Sequence, residues 1–252
     1  MTDWGRGRYI VRQAVLPGDI AWAQTLRARC FDLAHARDVD QYDARSAHIL
    51  ILSKADNQLV CCFRMMPLSG AEISHSYSAQ FYDLSAFATF RAPMVEIGRF
   101  CVAPGQDDPD ILRLALGALT AYVDENAVRF IIGCASFAGV DATKYLDSFA
   151  MLKTRHLAPK RWMPKIKAPC VFEYAAQVHC NPDVKKARLQ MPQLLRTYLT
   201  MGAWVSDHAV IDREMNTMHV FTGVEIPAIP KARKRSLRAV AGGVQNFKTA
   251  PA

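Results

Sequence analysis

Apolar positions along the chain fall into runs whose period changes from element to element. Val95, Ile97, Phe100 and Val102 make a strand buried on at least one face, with Glu96 and Arg99 set inside it. A second apolar strand, Arg129 to Phe137, ends in small residues. Between them Leu112, Ala115, Leu116, Leu119, Tyr122 and Val123 form a helical stripe, with Asp108 as its cap and Pro109 in its first position. This strand–helix–strand unit predicts a parallel pair.

Other patterns surround that unit. A short strand at 8–14 precedes a turn at Pro17-Gly18 and a helix capped by Asp19, with Ala23, Leu26, Cys30 and Leu33 on one face. The acidic stretch Asp38 to Asp43 is too polar to pack and reads as loop. Residues 47–53 and 59–66 read as a hairpin, as do 203–211 and 217–226. Residues 67–93 read as a loose helical or lid-like insertion. Asp141 caps a further helix, and 192–201 forms another. A mostly antiparallel sheet holding one parallel pair, with helices on both faces, is an α+β domain over residues 1–228. Residues 229–252 read as a basic, mobile tail.

Composition adds a question of partners. The formal charge is +8, which bears on binding and not on fold. Lys153, Arg155, Lys160, Arg161, Lys165 and Lys167 fall in one stretch without an acid, and five basic residues lie between Lys231 and Arg238. Nucleic acid, an acidic protein and an anionic membrane surface all fit such runs. Nucleic-acid binding also needs interleaved aromatic residues, and Trp162 alone meets that need. The seven cysteines lack paired metal spacing, and most read as core residues in a reducing compartment. No stretch approaches the length of an apolar membrane span, so the expected location is cytoplasmic, or peripheral on the inner face of the membrane.

Charged residues inside apolar strands need partners or a task. Glu96, Arg99 and Arg64 are therefore candidates, and the two central strands are read as the floor of a site. Phe100, Cys101 and Val102 on the first, and Cys134, Ser136 and Phe137 on the second, are its substrate-binding positions. The competing reading makes Glu96 and Arg99 a structural ion pair and the acidic stretch a solvated turn. Cys101 and Cys134 have no base in the sequence pattern, Ser136 lacks a nucleophile elbow, and the histidines show no metal-ligand spacing.

The element order resembles the GNAT acyltransferase superfamily. Asp38-x-Asp40-x-x-Asp43, Arg64 and Glu96-x-x-Arg99 resemble the charged signature of acyl-homoserine-lactone synthases. Glu96-Ile-Gly98-Arg99-Phe-Cys101-Val with Gly133-Cys134-Ala-Ser136-Phe137 looks like the hemolysin-like amino-acid N-acyltransferases that make lyso-ornithine lipid. The resemblance implies a GNAT fold whose central strands splay around a pantetheine arm. It implies transfer of a 3-hydroxyacyl chain to the α-amine of an amino acid, ornithine first and glutamine as the alternative. Glu96, Arg99 and Asp40 are then the catalytic residues, Glu96 as base. Asp38, Asp43 and Arg64 are substrate-binding residues. The acids either pair with the arginines or face a cationic acceptor. No cofactor is expected to be bound; the donor is acyl-phosphopantetheine on acyl carrier protein. The Pro104–Asp110 stretch, with three acids and two prolines, is a poor pyrophosphate loop. An acidic carrier protein suits the 153–167 cluster, and an anionic membrane suits the tail.

Overall fold

The computed structural model describes residues 4–242. Along the chain run β1 (Trp4–Arg6), β2 (Tyr9–Gln13), α1 (Pro17–Cys30), β3 (Ala47–Ser53), β4 (Leu59–Leu68), β5 (Tyr82–Asp83) and β6 (Met94–Val102). There follow α2 (Pro109–Glu125), β7 (Phe130–Ala138), α3 (Leu146–Arg155), β8 (Lys165–Ile166) and β9 (Val171–Phe172). The chain continues with α4 (Tyr174–Gln177), α5 (Val184–Gln190), α6 (Gln193–Thr200), β10 (Trp204–Asp212), β11 (Thr217–Glu225) and α7 (Lys231–Ala241). The class is α+β, as expected. The chain forms two compact units, each assembled from separated stretches of sequence.

The first unit comprises the residues up to 67, those from 95 to 129, and those from 231 on. Its strand order is β1-β2-β3-β4-β6, and β1/β2, β2/β3 and β3/β4 are antiparallel. Leu50 and Leu52 of β3 pack with Ala23 and Leu26 of α1. Alternation turns Ile49 and Ile51, both fully buried, to the opposite face, and α2 contacts β2 and β3. Helices therefore cover both faces of β3. Asp108 caps α2 by accepting from the Asp110 N–H at 3.0 Å, with Pro109 in the first turn. Asp19 lies inside α1 and not at its cap, because Arg12 binds both its oxygens at 2.7 and 2.8 Å. It accepts from the N–H groups of Val15 and Leu16.

The tail reading is corrected for residues 231–241, which form α7 against α2. Arg238 binds Asp124 through two hydrogen bonds of 2.8 Å. Basic composition hid this helix because its apolar contacts are few: Leu237 and Val240 are half-buried and Ala241 buried. The last ten residues lie outside the described range.

The second unit comprises residues 68–94 and 130–230. Its strands run β7-β11-β10-β9, all antiparallel, with a separate β5/β8 pair. On one face Ala135, Phe137, Met218 and Val220 join Phe149, Leu152, Tyr174 and Leu195 of the helices in one core. On the other, Phe130, Trp204 and Phe221 meet Phe87 at ring distances of 5.4–6.3 Å. Residues 68–94 are single 3-10 turns around β5. They are no lid: Tyr82 and Phe87 are fully buried.

Candidate active site

The site residues of the first unit come from four places in the sequence. Strand β6 supplies Glu96, Gly98 and Arg99; β4 supplies Arg64; the loop after α1 supplies Asp38, Asp40 and Asp43; α1 itself supplies Arg27. Strand β6 is irregular at Arg99, whose φ is +52°. A left-handed side-chain-bearing residue costs roughly 1–2 kcal/mol. It also breaks the alternation that would send residues 96 and 99 to opposite faces. Gly98 makes room beside it, since a Cβ there would sit 3.3 Å from Arg64 Nε.

Six charges close a ring. Arg27 binds Asp38 at 2.7 Å, Asp38 binds Arg99 at 2.7 Å, and Arg99 reaches Asp40 at 3.3 Å. Asp40 binds Arg64 at 2.6 Å, Arg64 binds Asp43 at 2.9 Å, and Asp43 returns to Arg27 at 2.7 Å. Signs alternate and cancel. The acidic stretch is therefore neither too polar to pack nor a solvated turn: Asp38 and Asp43 are both 7 % exposed. Burial this deep is tolerated because every carboxylate meets two guanidinium groups, and because neutral donors fill the remaining lone pairs. Gln24 donates to Asp43 at 2.9 Å, and the Asp43 carbonyl lies 3.0 Å from His48 Nε2. Arg64 and Arg99 also lie over the rings of Tyr42 and Phe31, each at 5.6 Å.

Protonation states follow from the ring. Burial raises the pKa of Asp38, but Arg99 and Arg27 more than offset it and hold the carboxyl below its ordinary value. Asp43 behaves alike: burial raises it, and Arg27, Gln24 and Arg64 bring it well below the carboxylate range. Burial depresses His48, which stays neutral. The ring opens to solvent on one edge only. The Asp40 and Arg99 side chains are 19 % and 11 % exposed, against 1 % for Arg27 and 3 % for Arg64.

Glu96 is 3 % exposed and lies in the strand two residues before Gly98. Its charge, after burial itself, helps to raise the phenol pKa of Tyr42, as does that of Asp40. The loop, Tyr42 and Glu96 thus share one electrostatic environment. Phe100 stacks on Phe63 at 5.5 Å. Cys101 is 3 % exposed within the core that α1 covers. Cys30 lowers its thiol pKa, but Cys62 and burial leave it well above the ordinary value, unsuited to nucleophilic attack. Val102 is half-buried, and its carbonyl accepts from Cys30 Sγ at 3.3 Å.

The remaining candidates lie in the second unit. Cys134 is half-buried, with Sγ 3.3 Å from Ser78 Oγ, and Ser136 is exposed opposite His219. Phe137 belongs to the helix-covered core, 5.0 Å from the rings of Tyr145 and Phe149. The basic cluster divides. Lys153 Nζ donates to the Val178 carbonyl at 2.7 Å, Lys167 Nζ to that of Ala79 at 2.5 Å, and Arg161 binds Glu225 at 3.1 Å. Arg155, Lys160 and Lys165 are exposed.

Arg27, Gln24 and Gly98 are the members that the sequence reading missed. One signal pointed to Arg27: three acids in the loop against two named arginines leave one negative charge unmatched.

Residues 22–115 match an acetyltransferase (GNAT) domain. The chain is 26 % identical to an L-ornithine N(alpha)-acyltransferase from Rhodobacter capsulatus, over 92 % of this chain and 90 % of the relative. It is 29 % identical to one from Brucella abortus, over 88 % and 86 %. Among solved structures, FeeM, an N-acyl amino acid synthase from uncultured soil microbes, shares the fold at a TM-score of 0.50 and 12 % identity, covering 94 % of this chain and 99 % of that one. The chain has the GNAT fold and resembles the L-ornithine N(alpha)-acyltransferases over most of its length.

Proposed function

We propose that the chain moves an acyl group from the phosphopantetheine thiol of acyl carrier protein to the α-amine of ornithine, giving a lyso-aminolipid. The observation that carries this reading is the neutral ring of charges opening on Asp40 and Arg99. That edge offers a carboxylate to a substrate ammonium and a guanidinium to a substrate carboxylate, the two charges of every free amino acid. The similarity to L-ornithine N(alpha)-acyltransferases favours ornithine over glutamine as acceptor.

A thioester is already activated, so the enzyme's tasks are few. Glu96, directly or through one water, takes a proton from the ammonium and frees its lone pair. The amine nitrogen attacks the thioester carbonyl. Backbone N–H groups where Arg99 interrupts β6 hold the oxyanion as it forms. The C–S bond then breaks, and the departing thiolate recovers a proton.

The donor assignment has support at the start of α2. Asp108 already occupies that helix terminus and also accepts from Tyr9 at 2.7 Å and Arg8 at 2.5 Å. A carboxylate at the helix N-terminus is a poor seat for a pyrophosphate, whereas a carrier-bound arm brings a single phosphate. Arg155, Lys160 and Lys165 face an acidic carrier, while Lys153, Arg161 and Lys167 hold their own loops. Lys231 and Arg235 on the exposed side of α7 meet an anionic membrane surface, into which the product passes. No helix of the described residues is long and apolar enough to cross a membrane.

Expression in a bacterial host that makes no aminolipids tests this reading. Mass spectrometry of extracted lipids should show an N-acylated ornithine absent from cells carrying the empty vector. An N-acylated glutamine alone would correct the acceptor, and unchanged lipids in cells making folded protein would contradict the proposal.

A further inference from the structure

The first unit holds a concave site that none of the ring charges lines. It is a cavity of about 620 Å³ at the end of the sheet where β2 begins, β3 ends and β4 begins. The β1–β2 turn, the β3–β4 turn, the last turn of α1 and the loop after β6 surround it. A volume of this size holds a small molecule. Leu59 and Val60, both buried, give it an apolar wall.

The charged side chains that line the cavity are Arg8, Arg29, Lys54 and Asp56, and their partners leave it positive. Arg8 binds Asp108 at 2.5 Å, so that pair is neutral. Asp56 accepts from the Gln58 N–H at 3.2 Å and from the Ser53 hydroxyl, within its own turn. Lys54 is fastened at both ends to the neighbouring turn. Its N–H donates to the Arg8 carbonyl at 2.8 Å, and its Nζ to the Gly7 carbonyl at 2.9 Å. A carbonyl is a neutral acceptor, so the ammonium keeps its charge and its further donors. Arg29 makes no hydrogen bond or ion pair among the described residues. A basic residue in a last turn suits the helix dipole, which accounts for Arg29 but not for Lys54 across the cavity. Two cations without a carboxylate of their own thus line one concavity, whose walls focus their field on an anion.

We propose that this cavity binds a free phosphate ester, its phosphate held between the Arg29 guanidinium and the Lys54 ammonium. A guanidinium takes two phosphate oxygens at once, and an ammonium takes another as a point charge. The ester group then lies against Leu59 and Val60. Ala103, the lining residue nearest to the ring along β6, is four residues beyond Arg99, roughly 13 Å of extended strand. The turns of β2, β3 and β4 that frame the cavity all lie on one side of β6 in the sheet order. The ligand is therefore neither acyl donor nor acceptor, and the site goes beyond acyl transfer and does not rest on it. Occupancy ties separated segments of the unit together, so the ligand should stabilise the fold.

Calorimetric titration of the purified chain with inorganic phosphate, glycerol 3-phosphate and glycerol tests the proposal at low salt. Both phosphates should bind saturably and raise the melting temperature, and glycerol should do neither. Arg29→Gln with Lys54→Gln should weaken glycerol 3-phosphate binding at least about tenfold, or ~1.4 kcal/mol. Lys185→Gln with Arg188→Gln removes two exposed cations of the second unit and should leave that binding unchanged. Where the first pair fails to fold, Arg29→Gln alone carries the comparison and should still weaken binding several-fold. Absence of saturable binding to folded wild type overturns the proposal, as does equal weakening by both pairs. Acyl carrier protein added beforehand should not displace the phosphate; displacement would make the cavity part of the donor site and overturn it too. Binding is read without turnover, so an inactive chain that still binds phosphate would remove the transferase reading and leave this one standing.

Discussion

In the proposed reaction Glu96 is the base, and Glu96→Gln separates chemistry from structure. The shape is kept and the proton acceptor lost, so turnover should fall about 10²–10⁴-fold. Thermal stability should change little. Retention of activity within about threefold from pH 6 to 9 would make Glu96 structural. Arg27 should behave in the opposite way. Arg27→Met leaves Asp38 and Asp43 buried with one cation fewer, which should cost about 3–5 kcal/mol in denaturant unfolding. Acid should act in two windows. Unfolded His219 takes a proton below about pH 6.5, and the folded residue only near 4. Between those values the unfolded state binds more protons, so stability drops as pH falls, by about 3 kcal/mol in all. In His219→Gln that slope should become shallower in urea titrations between pH 7 and 5, leaving the part that the depressed His48 and His156 contribute. Asp38 and Asp43 have depressed pKa values, so their contribution is present above about pH 4 and is lost below it, as pH falls through their folded values.

At the scale of elements, β6 and the loop after α1 show what the sequence could and could not convey. Glu96, Arg99 and Arg64 were legible because ionised groups stand out in apolar strands. Asp38, Asp40 and Asp43 were legible as a charged signature but not as buried, because local polarity carries no record of arginines placed 11 to 61 residues away. Arg27 was hidden beside Leu26 on α1, where a polar residue next to an apolar stripe normally faces water. The left-handed turn at Arg99 had no sequence signal, since glycine occupies the position before it. The hairpins and α2 were legible from period and caps alone. Residues 68–94 were not, because 3-10 turns are too short to show a period. One element invites a direct test. Lys160→Glu with Lys165→Glu should raise KM for acyl carrier protein several-fold and leave a small acyl-pantetheine thioester unaffected, and the difference should fade with salt. Equal losses on both donors would place these residues elsewhere in the reaction.

For the molecule as a whole, the proposed function makes one chemical claim: an amine is acylated by a thioester. Helix α7 modifies the expectation for truncation. Because it packs on α2, removal of residues beyond 230 should lower the melting temperature, and membrane attachment is better probed by Lys231→Glu with Arg235→Glu. That pair should weaken co-sedimentation with anionic vesicles at low salt and leave the fold intact. The most direct measurement combines purified chain, 3-hydroxyacyl carrier protein and ornithine, followed by mass spectrometry of the product and thiol release from the carrier. The account predicts one carrier thiol freed per molecule of acylornithine, with fragmentation placing the acyl group on the α-nitrogen. Thiol release that proceeds equally without an amino acid, yielding only free acid, would contradict it.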